Sequence, residues 1–64
     1  MTPDQREAIL ANAKYLRNLR AVDPEEIPDY VEGNPHPAAV RQVIREAAVD
    51  LGLIERADGC FVPV

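Results

Sequence analysis

At Gly52 the apolar pattern of the chain changes period, and no other feature constrains the fold as much. Before it, Val40, Ile44 (with Val43), Ala47, Ala48 and Leu51 recur at helical spacing. After it, Leu53-Ile54-Glu55-Arg56 and Cys60-Phe61-Val62-Pro63-Val64 flank Ala57-Asp58-Gly59. Asp-Gly between two such runs is a strong hairpin signal, because tight turns need residues that tolerate positive φ. The sequence therefore predicts a helix closed by Gly52 and followed at once by a β-hairpin. A lone hairpin is marginal in water and must pack on helices. Leu53, Ile54, Phe61 and Val62 are the expected contacts. Pro63 cannot donate to a ladder, which predicts an edge position for the last strand.

Two helical segments are expected upstream. The first runs from about Thr2 to Ala21: Thr2 as N-cap, Pro3 at the first helical position and Gln5 as the capping-box partner. Ile9, Ala13, Leu16 and Leu19 share one face, and Ala8, Ala11, Tyr15 and Val22 broaden it. So wide an apolar surface predicts either a central helix covered on two sides or a helix that pairs with a second copy. The second segment, Asp23 to Gly33, starts with Asp23 capping Pro24-Glu25-Glu26. Pro28 then breaks it, since its ring and missing N–H cost about 3 kcal/mol inside a helix. The expectation is one turn over Pro24–Ile27, a bend, a short helix from Pro28 to about Glu32, and Gly33 in the left-handed conformation. The third segment begins at Asn34-Pro35-His36-Pro37, where Asn34 or His36 can be the N-cap; cap preference favours Asn34.

The 64 residues make one domain, 1–64, near the lower size limit for unaided folding. No intrachain disulfide is available to Cys60, the one cysteine, and His36 with Cys60 falls short of the four ligands a structural zinc wants. No cofactor motif, phosphate loop or paired-carboxylate spacing appears, so no enzyme activity and no small-molecule substrate are expected. His36 between two prolines reads as a turn or cap residue, and Cys60 as a small apolar side chain rather than a reactive thiol. Net charge is −4, with six arginines against one lysine, Lys14. That balance resembles proteins of halophilic archaea, where surface acidity is a solubility device; a GC-rich genome produces the same bias. No secretory or membrane-spanning run is present, and a lone thiol fits a reducing compartment, so a cytoplasmic location is expected.

Val40-Arg41-Gln42-Val43-Ile44-Arg45-Glu46-Ala47, Leu51-Gly52-Leu53-Ile54-Glu55-Arg56 and Asp58-Gly59-Cys60-Phe61-Val62 together resemble the recognition helix and wing of GntR-type regulators. The resemblance covers about residues 40–62 and implies a winged helix-turn-helix: a mainly α, three-helix domain with a C-terminal β-hairpin. It departs from the pattern in its acidic, proline-broken second segment and in its short wing. No effector-binding portion accompanies it, which argues against a ligand-controlled repressor.

The resemblance implies double-stranded DNA as partner and Arg41, Gln42 and Arg45 as the readout positions, with Arg56 on the wing near phosphate. Arginine suits guanine and glutamine suits adenine in the major groove. The plainer reading pairs Arg45 with Glu46 or Asp50 and leaves Arg41 on a solvated face. Residues 34–64 hold three arginines and four acids, with no basic stripe to release counterions. Two functions follow: a DNA-binding transcriptional regulator acting as a homodimer through its first helix, or a protein–protein adaptor that keeps the fold without nucleic-acid contacts. The acidic run Asp23–Glu32 motivates the adaptor. Lys14, Arg17 and Arg20 are expected to complement their own helix terminus or the acids of the second segment. If Glu46, Asp50 and Glu55 neutralise the Arg41/Arg45 face, the adaptor gains.

Overall fold

The computed structural model describes all 64 residues. In chain order they form α1 (Pro3–Leu19), a 3₁₀ helix (Ile27–Tyr30), α2 (Pro37–Leu51), β1 (Leu53–Glu55) and β2 (Phe61–Pro63). The molecule is thus mainly helical with a C-terminal antiparallel hairpin, as expected.

The capping box of α1 closes: Gln5 N–H donates to Thr2 Oγ1 (3.1 Å) and Thr2 N–H to Gln5 Oε1 (2.9 Å). The helix ends at Leu19, short of the expected Ala21, because Arg20 leaves helical angles (φ −172°, ψ −67°). Val22 is then taken into the sheet. It exchanges two backbone hydrogen bonds with Phe61, both 2.8 Å, in an antiparallel bridge.

This bridge corrects the expectation drawn from Pro63: β2 lies between β1 and Val22 and is no plain edge strand. Pro63 is tolerated because hydrogen-bonding directions alternate along a strand. Phe61 faces Val22 and Val64 donates to Gly52 O (2.9 Å) on the β1 side. Pro63 therefore turns its nitrogen toward the Val22 side, beyond a single bridge, where no ladder needs a donor.

The middle segment is shorter than expected. Pro24–Glu26 form a turn, the 3₁₀ helix follows, and Val31 already has extended angles (φ −122°, ψ 128°). Pro28 sits in the first turn of the 3₁₀ helix, where its absent N–H leaves nothing unpaired. Ile27 precedes a proline, a position disfavoured for helical angles, yet it opens this helix. It is wholly buried, and burial of an isoleucine contributes about 1.5–3 kcal/mol, enough to offset the restriction before proline.

The N-cap of α2 is His36, not Asn34. Asn34 follows Gly33 (φ 85°) into the left-handed region (φ 45°), whereas a cap residue needs extended angles. His36 has them (φ −61°, ψ 139°), and its Nδ1 accepts from Ala38 N–H at 3.1 Å. At the other end Gly52 adopts φ 66°, ψ 39° and closes the helix; a left-handed residue there turns the chain directly into β1.

The core is one cluster drawn from every element: Ile9 and Ala13 of α1, Val22, Ile27 and Val31 of the middle segment, Val40, Val43, Ile44 and Leu51 of α2, and Leu53 and Phe61 of the hairpin. Two positions expected in the core of α1 are outside it, Leu19 at 61% and Tyr15 at 64% exposed. Ile54, expected to pack on the helices, is 55% exposed. Phe61→Ala should cost about 3–5 kcal/mol, comparable to the whole stability of a domain this small; urea titration followed by far-UV circular dichroism should show no cooperative transition. His36→Asp should strengthen the α2 cap and stabilise by about 0.5–1 kcal/mol, raising Tm by roughly 2–8 °C in a calorimetric scan.

Candidate nucleic-acid interface

Side chains alternate across a strand, so Leu53 and Glu55 share one face of β1 and Ile54 takes the other. The register pairs Leu53 with Pro63, Ile54 with Val62 and Glu55 with Phe61. Leu53 and Phe61 are buried, which makes their face the one that packs on the helices. Glu55 lies on that same face at the end of the strand, and α2 presents Arg41 and Arg45 to it. Arg45 donates from Nε and Nη2 to the two carboxylate oxygens of Glu55, at 2.9 and 3.0 Å. Arg41 Nη1 lies 3.7 Å from Glu55 Oε2 and donates to Gly59 O at 3.2 Å.

Gly59 has φ 91°, and a Cβ there would stand 3.0 Å from Arg41 Nη1. Glycine is needed both for the turn and for the approach of the guanidinium. Arg41 is thus half-buried and docks the hairpin turn onto α2, where a solvated side chain had been expected.

The remaining candidates are also partnered. Gln42 Nε2 donates to Glu46 Oε2 (3.3 Å), whose other oxygen takes Arg6 from α1 (3.4 Å). Arg56 pairs with Asp58 in the hairpin turn, and Asp58 Oδ1 accepts from Cys60 N–H (3.0 Å). The structure therefore gathers Arg41 and Arg45 around one carboxylate, keeps Gln42 on the exposed side of α2 bonded to another, and leaves Arg56 on the turn. The partner of Arg45 is Glu55 across the hairpin junction, not Glu46 or Asp50 on its own helix. Glu55 was one of three acids that could neutralise this face, and strand alternation, which puts it on the side of the buried Leu53, favours it without fixing the contact.

Electrostatics follow from these contacts. The hydrogen bonds from Arg45 hold the Glu55 carboxyl below the ordinary glutamate range against the opposing effect of desolvation, with the charges of Arg45 and Arg41 also lowering it. Arg45 is raised in turn by Glu55. Burial, then the charges of Asp23 and Asp58, push the Cys60 thiol up, which disfavours the thiolate that a reactive cysteine needs. No three His, Cys, Asp or Glu side chains gather as a metal would require.

Arg17 lies in the last turn of α1 and Arg20 is its C-cap, as expected of residues that complement a helix terminus. Arg17 Nη1 donates to Leu51 O (3.1 Å), the last residue of α2, and its other nitrogens to Asn18. It therefore also complements the C-terminal end of the neighbouring helix. The four ion pairs of the structure use Glu46, Glu55 and Asp58 as their acids, and none joins Lys14, Arg17 or Arg20 to the second segment.

The fold and this face define a small helical domain, closed by a hairpin, whose arginines are neutralised from within. Residues 6–57, more than half of the chain, match the family described as Domain of unknown function (DUF8157) N-terminal domain, and the chain belongs to that family. No curated protein and no solved structure matches it. No helix is long and apolar enough to cross a membrane.

The depressed pKa of Glu55 adds stability that is present above the ordinary glutamate range and lost as pH falls through its folded value. In a side-chain NMR titration Glu55 should protonate below the ordinary glutamate range. Arg45→Gln should move its midpoint upward; an unmoved midpoint would mean that Arg45 does not hold it.

Proposed function

We propose that this domain is a protein-interaction module of winged-helix type whose recognition-helix face is closed to nucleic acid by its own acids. The observation that carries the reading is Glu55, which accepts two hydrogen bonds from Arg45 and lies beside Arg41. Exposed ion pairs are individually weak, so phosphate can compete for an arginine. The carboxylate stays behind, however, and keeps the net charge of the face low. With Glu46, Glu55 and Asp58 paired to Arg6, Arg41, Arg45 and Arg56, three acids offset most of the charge of four arginines, so few counterions are released on DNA, and that release is the main source of affinity. Specific readout would have to overcome this deficit base by base.

The order of elements supports the winged-helix shape: a long helix, one strand position at Val22, a short helix, a second long helix and a hairpin whose last strand pairs with Val22. A shape of this kind does not fix a function; the surface does. Of the α1 face expected to form a homodimer, Ile9, Ala13 and Val22 are wholly buried inside the chain, whereas Tyr15 and Leu19 stay exposed. The reading puts the module in the cytoplasm, where its free Cys60 suits a reducing compartment.

Fluorescence anisotropy with mixed-sequence duplex DNA tests this, at moderate and at high salt. The unmodified chain should not bind at low micromolar concentration. Glu46→Gln with Glu55→Gln, which frees the arginines, should gain weak binding that salt abolishes. Tight binding by the unmodified chain, lost in Arg45→Ala, would overturn the reading in favour of a DNA-binding regulator.

A further inference from the structure

Acidic charge is distributed unevenly over the molecule. Every acid in an ion pair belongs to α2 or the hairpin: Glu46, Glu55 and Asp58. Between Val22 and Gly33 stand five acids, Asp23, Glu25, Glu26, Asp29 and Glu32, with no base among them, and none is in an ion pair. Asp23 is used locally, accepting from Glu25 N–H at 3.0 Å. Of the others, Glu32 lies beside the start of α1, while Glu26 and Asp29 stand together near its end.

Exposed aromatic surface adjoins Glu26 and Asp29. The last turns of α1 and the 3₁₀ helix enclose a groove of about 490 Å³, lined by Tyr15, Leu16 and Tyr30 with Glu26, Asp29 and Arg20 on its margin. Tyr15 and Tyr30 are 64% and 75% exposed, and Leu19, one turn beyond Tyr15 on α1, is 61% exposed. These are three of the chain's few large side chains, kept in water although the core has only one phenylalanine. Tyrosines grouped in a concave patch are the usual anchors of an interface, and an aromatic face attracts a cation as a carboxylate does. Arg20, the groove's own cation, pairs with neither Glu26 nor Asp29, so both carboxylates remain open.

We propose that this groove docks a basic, amphipathic segment of a partner protein, its apolar side chains on Leu16 and Leu19 and its arginine or lysine between the tyrosines and Glu26/Asp29. The occupant is set by charge complementarity: an acidic segment or a nucleic-acid backbone would meet unpaired carboxylates, whereas a cationic one neutralises them. A second copy of this chain is disfavoured for the same reason, since it would bring its own five acids to the interface. The proposal rests on the interaction-module reading and gives it a surface and a partner chemistry.

The test uses a synthetic amphipathic peptide of leucine, alanine and arginine, its counterpart with glutamate for arginine, and ¹H–¹⁵N NMR of the whole chain. The arginine peptide should shift Tyr15, Leu16, Leu19 and residues 26–30 and leave Arg41, Arg45 and Glu55 still. Tyr30→Ala, at an exposed position, should weaken it about tenfold, and Glu26→Lys with Asp29→Lys should abolish the shifts while signal dispersion stays native. Equal binding by the glutamate peptide, shifts centred on α2 and the hairpin, or no groove shifts at millimolar peptide would each overturn the proposal. So would a sedimenting dimer that Tyr30→Ala converts to monomer, because the groove would then belong to a second copy. These outcomes are separable from the duplex-DNA result: DNA binding overturns the interaction-module reading whatever the peptide does, and a silent groove with no DNA binding overturns only this proposal.

Discussion

Phe61 holds the two halves of the molecule together. Its ring is the largest fully buried side chain, and its backbone pairs with Val22 on one side while its strand pairs with β1 on the other. Val22 begins the link between α1 and the 3₁₀ helix, so this bridge is what ties the irregular, proline-rich middle of the chain to the hairpin. The 3₁₀ helix has only four residues and could not persist alone. It stays in place because Ile27 and Val31 enter the same apolar cluster as Phe61. A 64-residue chain with a single, free cysteine and no cluster of metal-binding side chains depends heavily on such a convergence, since each core residue serves several elements at once.

The register that buries Phe61 also determines the electrostatics. Placing Leu53 and Phe61 inward leaves Glu55 on the inward face at the rim, where α2 supplies Arg45 and Arg41. The exposure of Ile54 is the other consequence of the same alternation. A shift of one residue would carry Glu55 to solvent, bury Ile54 and release both arginines. The neutral character of the α2 face is therefore a product of strand pairing, not of composition. Across the molecule the opposite holds: the acids between Val22 and Gly33 form no ion pair, because α1 sends Arg17 to the end of α2 and Arg20, beside Glu26 and Asp29, pairs with neither. One side is internally balanced while the other keeps open charge beside exposed tyrosines.

Local chemistry made much of the architecture legible. The Thr2/Gln5 capping box, Pro3, Gly52 and Asp58-Gly59 act within a few residues of themselves, and each operates in the structure as its residue type dictates. The break at Pro28 was legible for the same reason, though its outcome, a 3₁₀ turn beginning at Ile27, depended on burial. The choice between Asn34 and His36 as cap turned on the backbone path out of Gly33, which cap preference does not contain. Periodicity overfilled the core with Tyr15, Leu19 and Ile54, because it reports which residues share a face and not how far a neighbour extends over it.

By itself the sequence determined the element order, the helix start at Thr2, the stop at Gly52, the hairpin and the supply of arginines on α2, since all of these are settled by backbone preferences and short-range spacing. Tertiary structure alone decided that Val22 would join the sheet, that Glu55 would take Arg45 and Arg41, and that the acids of the middle segment would remain unpaired beside Tyr15 and Tyr30. Those outcomes depend on which distant faces meet. Pairing of charges is fixed by distances of a few ångströms between elements, and no local pattern in the chain encodes them.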